Sequence, residues 1–315
     1  MGWMSRKLIR YGLALYIIFS LNFFIPRLMP GDPLLNLLGE NASVTEETLA
    51  GLRTEMGLDS PMGLQYLRYW GRLFRLDMGY SYFFHERISS LILGRAGGTL
   101  LLLLPSILLG AWIGIAGGAR AGWRNRKPGS RLITYGFLLL YSSPPFFLGM
   151  LALYVFSFLL GWFPLRSVYS SGSLGAMLHH LFLPVLVLTL FAAARNFLVM
   201  RGSVLQEKSK LYVLQARASG MARKAIVGRH IIKNASLPVL TLVALDFGFL
   251  FSGALLIEIV FSLNGMGALI YDALMARDYP TLQGAFLLIT VMVIMANICA
   301  DILYGLLDPR VRQER

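Results

Sequence analysis

Six apolar runs, each long enough to cross a bilayer, set what this chain can fold into: residues 8–28, 99–119, 132–160, 181–200, 237–261 and 282–307. A helix rises about 1.5 Å per residue and the hydrocarbon core is about 30 Å thick, so about 20 mostly apolar residues span it. The runs are continuous, as at residues 100–104 and 137–140, rather than alternating, which selects helices over a barrel. The expected fold class is all-α, a polytopic membrane protein with six transmembrane helices. Charge is scarce in keeping with this: 14% of the 315 residues are charged, against about a quarter in a soluble domain. The first run opens with Arg6, Lys7 and Arg10, as a signal peptide would. It lacks a small-x-small cleavage site and continues through Phe23, Phe24 and Ile25, so it reads as an uncleaved anchor.

Lys and Arg near spans are retained on the cytoplasmic side. Of the 29 here, 20 fall on one side of the six runs: three at the start, the groups within 120–131 and 195–233, and three after the last run. Both termini are therefore expected in the cytoplasm of a multi-pass inner-membrane protein. The net charge of +13 is a topology signal divided among four segments, so no nucleic-acid partner is expected. The single cysteine, Cys299, lies inside the last run and reads as a small hydrophobe.

Five regions follow: 1–29, the N-terminus and first span; 30–98, an external cap; 99–200, spans two to four; 201–236, a cytoplasmic loop; and 237–315, spans five and six with the tail. The cap segment is too long for a simple loop. Ser43 or Thr45 can cap one helix, and Gln65, Tyr66, Tyr69, Trp70 and Leu73 suit a second, amphipathic one. Its rings, Tyr66, Tyr69, Trp70, Tyr80, Tyr82, Phe83 and Phe84, suit the membrane interface or a docked protein. In the cytoplasmic loop a helix over 212–219 is expected to end at Gly220 in a left-handed conformation, with a second helix from Ala222 to about Ala235. Such a hairpin can dock on a partner or lie as a basic amphipathic helix on anionic lipid. No G-x-x-x-x-G-K-[ST] phosphate loop occurs. ATP would have to be used by another subunit, and neither enzymatic activity nor a cofactor is expected of this chain.

The segment Tyr212-Val-Leu-Gln-Ala-Arg-Ala-Ser-Gly220, followed by Gly228-Arg229-His230, Lys233-Asn234-Ala235 and Leu237-Pro238-Val239-Leu240-Thr241, resembles the ABC importer permeases. More narrowly, the chain resembles the B-type subunit of the dipeptide/oligopeptide/nickel permease family. Pro30-Gly31-Asp32-Pro33, Gly57-Leu58-Asp59-Ser60-Pro61, Asp77-Met78-Gly79-Tyr80-Ser81, Ser143-Pro144-Pro145-Phe146, Trp162-Phe163-Pro164, Arg277-Asp278-Tyr279-Pro280 and Asp308-Pro309-Arg310 extend the likeness over nearly the whole chain. It departs at Arg95-Ala96-Gly97-Gly98-Thr99-Leu100, where the family usually has Arg-Leu-Pro-x-Thr-Leu. The resemblance implies a type I importer-like fold and a coupling helix that enters a cleft on the ATPase subunit through Gln215, Ala216, Arg217, Ala218 and Gly220. It also implies a homologous C-type permease as partner in a heterodimer, two cytoplasmic ATP-binding subunits, an external solute-binding protein, and a cargo of peptides or of nickel chelates, opines or glutathione-like molecules.

Within the membrane, Asp246 lies about nine residues past the start of the fifth run, hence roughly 13 Å deep. An acid at that depth costs at least about 2.5–3.5 kcal/mol and faces a cavity or a partner. It therefore either lines the translocation pathway, favouring neutral or cationic cargo, or seals a helix contact as a hydrogen-bonded or protonated acid. Glu258, farther along the same run, reads as structural. Ser142 and Ser143, with Pro144 and Pro145, break the third run and form a second candidate for the pathway. His179 and His180 lack converging ligands in the sequence, so no metal site is expected. The rival reading from another class is an ion-coupled secondary transporter with Asp246 as its ion site, for which inverted repeats would argue; none is visible.

Overall fold

In the computed structural model, residues 3–28, 51, 59–75, 77–81, 83–166, 173–248 and 255–307 are described. The helices are α1 (Trp3–Leu28), α2 (Met62–Phe74), α3 (Ile88–Trp123), α4 (Pro128–Ser142), α5 (Pro145–Leu159), α6 (Leu174–Lys208), α7 (Leu211–Ala218), α8 (Arg223–Ala235), α9 (Leu237–Gly248), α10 (Leu255–Val260), α11 (Met266–Met275) and α12 (Tyr279–Leu307). Among the described residues the strands are a two-residue antiparallel pair, β1 (Tyr80–Ser81) and β2 (Glu86–Arg87). The helix proposed to begin at Ser43 or Thr45, the motifs at 30–33 and 308–310, Gly57 and Leu58, Tyr82, and the stretch 249–254 of the fifth run lie outside the described residues.

Helices α3, α6 and the Tyr279–Cys299 part of α12 are each long and apolar enough to cross a membrane. Two bent pairs pass the same test together, α4 with α5 at 100° across the third run and α8 with α9 at 43° where the loop meets the start of the fifth run; counting each pair as one span raises the number to five. The first run supplies a shorter apolar helix, Ile9–Ile25. The expected break of the third run at Ser142, Ser143, Pro144 and Pro145 is present as a sharp bend. Ser143 and Pro144 both have extended backbone, so the helix stops and restarts with Pro145 at its first position, where a missing N–H costs nothing.

The chain divides into two compact units. The first draws on Met1–Gly98 and Asn264–Ile294. Here α2 lies along α1: Tyr66 is 5.2 Å from Phe23 and Trp70 stacks at 5.6 Å on Tyr16, while the Tyr66 and Ser20 hydroxyls are 2.7 Å apart. Tyr66, Tyr69 and Trp70 therefore pack on the first span. Asn22 and Gln283 exchange amide bonds with each other's backbone carbonyl at 2.9 and 3.1 Å, tying α1 to α12. Asp278, fully buried, accepts from the hydroxyls of Ser81 at 2.5 Å and Thr281 at 2.6 Å. Two motifs almost two hundred residues apart in sequence are joined by that carboxylate.

The second unit draws on Thr99–Leu263 and Met295–Arg315. Its frame is a seam of small residues between α3 and α6. Gly110, Gly114, Gly118 and Gly122 recur every four residues, so they share one face of α3. A Cβ added to them would lie 2.6 Å from Ala192 Cβ, 2.5 Å from Asn196 Cβ, 2.6 Å from Phe197 O and 2.9 Å from Arg201 O, respectively. No side chain fits there, and the two backbones meet closely, as small-residue stripes allow in membranes. Phe197 of α6 also stacks on Phe137 of α4 at 4.3 Å. Gly149 of α5 faces Phe261 and Ile257 at the end of the fifth run. Glu258 is buried and accepts from Thr99 Oγ1 at 2.6 Å, consistent with a structural role.

Candidate coupling surface and intramembrane ion pair

The loop after α6 folds as a hairpin of α7 and α8. Gly220 has φ +74°, the left-handed region that favours glycine, and its N–H donates to Arg217 O at 3.0 Å. The Met221 N–H reaches back to Ala216 O at 3.2 Å, completing a Schellman turn. The expected helix end at Gly220 is what the structure contains.

The hairpin is seated on apolar packing. Val213 of α7 and Ile226 and Ile231 of α8 are buried with Ala119 of α3 and Met200 and Val204 of α6. A polar relay fixes its base: Lys210 pairs with Glu207, Tyr212 Oη donates to Glu207 Oε2 at 2.6 Å, and Asn234 Nδ2 donates to Tyr212 Oη at 3.3 Å. Burial first, and then the bond to Glu207, push the Tyr212 phenol above its ordinary range, so it remains a neutral donor. The Gly228-Arg229-His230 motif falls in a π-helical stretch, Ile226–Ile231, inside α8.

Of the five residues expected at a docking surface, Gln215, Arg217, Ala218 and Gly220 are exposed, whereas Ala216 is half-buried against the apolar seat. Sequence reasoning missed two neighbours. Leu211 is 83% exposed and Leu214 64% exposed, one turn apart on the outward side of α7. The available signal was two leucines at helical spacing in a segment whose packing face was already occupied by Val213.

Asp246 of α9 has a partner in this chain: Arg195 of α6 donates from Nη2 to its Oδ2. The side chains retain 25% and 20% exposure, respectively. Arg195 was assigned to the cytoplasmic cations by position, but it lies within the fourth apolar run and answers the acid. An isolated charge at that depth is costly, and pairing removes most of the net charge. The signal was a lone arginine in one apolar run opposite a lone aspartate in another. Next to Arg195 on α6, both side-chain polar atoms of Asn196 are buried and find no partner among the described residues. Ser142 is exposed at the break between α4 and α5, and Ser143 is half-buried there, donating to Leu139 O at 3.0 Å. Ser142, Ser143 and Asp246 sit on different elements, and no hydrogen bond among the three is present. His179 bonds through Nε2 with Trp162 O at 2.9 Å and stacks on Phe163, an anchoring role.

Apolar helices long enough to cross a bilayer, joined by an exposed, firmly seated basic hairpin, define a multi-pass membrane protein. The chain belongs to the family described as the binding-protein-dependent transport system inner membrane component, which matches residues 101–313, with that family's N-terminal domain matching residues 1–102. It is 37% identical to a protein of Brucella suis named as a peptide permease, with 98% of each chain covered. It is 31% identical to a protein of Sinorhizobium fredii named as a peptide ABC transporter permease, covering 98% of this chain and 99% of that one. It is also 34% identical, over 99% of both chains, to the glutathione transport system permease protein of Salmonella paratyphi A. The protein is therefore a permease subunit of an ABC importer, a multi-pass protein of the inner membrane. Such permeases work with ATPase subunits, a substrate-binding subunit and a second permease, and ATP hydrolysis lies in the separate subunits.

Proposed function

We propose that this chain forms half of the transmembrane pathway for peptides or similarly sized solutes, paired with a homologous C-type permease and driven by two cytoplasmic ATPases that dock on the α7–α8 hairpin. An external solute-binding protein delivers the cargo, and both termini lie in the cytoplasm. The observation that carries this reading is the hairpin itself. It exposes Leu211, Leu214 and Gln215 on one side while Val213, Ile226 and Ile231 anchor the other, and Arg217 stands at the border with its guanidinium 5.6 Å from the Trp123 ring centre. A docking helix needs that combination, because a force on its outer face is useful only if its inner face cannot slip. The names of the relatives support peptides or glutathione as cargo. Ser142, Ser143 and the Arg195–Asp246 pair are the polar groups we assign to the pathway. Because Arg195 already supplies the counter-charge, Asp246 is left little reason to select cationic cargo.

The test is uptake and ATP hydrolysis by the reconstituted importer with its binding protein. Arg217→Glu and Leu214→Glu should leave the chain in the membrane yet abolish binding-protein-stimulated ATPase activity and uptake. Normal coupling in both variants would remove the docking assignment.

A further inference from the structure

Beside the coupling surface, but separate from its outward face, the cytoplasmic end of α3 and the start of α8 enclose a cleft of about 620 Å³. One end is lined by Arg120, Arg124, Lys127, Arg223 and Lys224, with no carboxylate among the lining residues. Among the described residues none of these five cations makes an ion pair. The other end is apolar, lined by Ile115, Ala119, Val227 and Ile232. From Ile115 to Trp123 the wall follows α3 as it leaves the second apolar run, so the change from apolar to cationic runs along the axis of a spanning helix. Trp123 lies one turn beyond Arg120, among the cations, with the Arg223 guanidinium 5.0 Å and the Arg217 guanidinium 5.6 Å from its ring centre; aromatic residues of this kind are common at the membrane interface.

We propose that this cleft binds the headgroup of an anionic phospholipid from the cytoplasmic leaflet, its phosphodiester held by Arg120, Arg124 and Lys224 and the first part of an acyl chain lying along Ile115 and Val227. Five cations gathered without a carboxylate repel one another, and a bound anion relieves this. Both phosphodiesters and carboxylates could supply the charge. The apolar end decides between them: an acidic segment of a soluble subunit has no use for it, whereas a lipid presents charge and hydrocarbon in that order along the membrane normal. The volume falls in the range of ordinary small-molecule sites, roughly 300–1,000 Å³. Arg120 and Arg124 lie on α3, outside the hairpin, and Lys224 stands at the start of α8, apart from the outward α7 residues Leu211, Leu214 and Gln215; all three are exposed, so neutralising them leaves the packing intact.

The experiment uses the assembled importer, purified and returned to nanodiscs of phosphatidylethanolamine containing a fixed fraction of phosphatidylglycerol. In the wild type, a photoactivatable phosphatidylglycerol should label peptides covering residues 115–127 and 223–232. Native mass spectrometry should find phosphatidylglycerol retained after detergent exchange. Arg120→Gln with Lys224→Gln should reduce retention by about tenfold or more, at about fivefold per cation. Arg229→Gln with Lys233→Gln, equal in charge but outside the cleft, should change it less than twofold. Labelling confined to other peptides, or equal retention by the two double variants, would overturn the proposal. So would loss of the ATPase subunits from the Arg120→Gln/Lys224→Gln complex with lipid retention unchanged, since the cleft would then serve a protein.

Discussion

Substituting Gly118 by alanine adds one methyl group at the centre of the α3–α6 seam. That carbon would lie 2.6 Å from Phe197 O and 2.8 Å from Met200 Cβ. Ordinary contact needs about 3.5 Å, so one helix must move by nearly 1 Å against neighbours already in contact. Overpacking of this kind costs about 1–3 kcal/mol. Alanine also regains up to about 1 kcal/mol of helix propensity over glycine, which would blur a single measurement. Gly136 supplies the control: it lies inside α4 with nothing within 4 Å of an added Cβ, so Gly136→Ala keeps the propensity gain and suffers no misfit. The difference between the variants therefore isolates the seam, and about 1–3 kcal/mol corresponds to about 5- to 150-fold in the unfolding equilibrium. Unfolding in mixed micelles with rising dodecyl sulfate, followed by far-ultraviolet circular dichroism, should place Gly118→Ala below wild type and Gly136→Ala at or above it. Coincident transitions for the two variants would refute close backbone approach at Gly118.

Asp246→Asn should destabilise the protein by about 1–3 kcal/mol, less than the cost of breaking a fully buried pair because both side chains keep some exposure; adding Arg195→Gln should recover part of that loss in the same unfolding assay. Asp278→Ala leaves the Ser81 and Thr281 hydroxyls without their buried acceptor and should cost at least about 1–3 kcal/mol, measured as faster amide exchange at the start of α12. In a Cys299→Ala background, Ser60→Cys should react with an impermeant thiol reagent in intact cells and Ser209→Cys should not; the reverse pattern would invert the orientation.

Hydrophobic run length was enough to locate the helices, because a bilayer demands internally bonded backbone and leaves a segment little else to become. The left-handed turn at Gly220 was legible for a similarly local reason: the residue type and the conformation are coupled within a single turn. Pairings across helices were not legible. Nothing in the local sequence says that Arg195 faces Asp246, since each is only a costly residue until the rotation of both helices is known. The glycine seam was visible as a four-residue repeat in Gly110, Gly114, Gly118 and Gly122, but the fourth apolar run offered no matching pattern to name its partner. The packing of α2 on α1 was not legible, because amphipathicity reports that one face is buried without reporting what covers it. Tyr66 and Trp70 pack on α1.

The ways in which α6 is held suggest how force on the hairpin could enter the membrane. Its C-terminal part carries Met200 and Val204, buried against Val213, Ile226 and Ile231, so a displacement of the hairpin acts on α6 directly. Along the seam, α3 and α6 have no slack, because Phe197 O and Arg201 O already stand where a methyl group on Gly118 or Gly122 would go. These two helices must therefore respond as one body. Compliance belongs at the breaks, the 43° bend between α8 and α9 and the 100° bend between α4 and α5, where the helices are bent rather than continuous. Asp246 lies on α9, beyond the first of those breaks, and its link to α6 through Arg195 is a charge pair rather than a packed seam. A polar pair can separate and exchange its partner for water or cargo, whereas the glycine contacts can only hold or fail. The physical division is thus between a rigid α3–α6 unit with the apolar seat of α8 and the start of α9 packed on it, and the later part of α9, where the exchangeable Arg195–Asp246 pair is the polar link to α6.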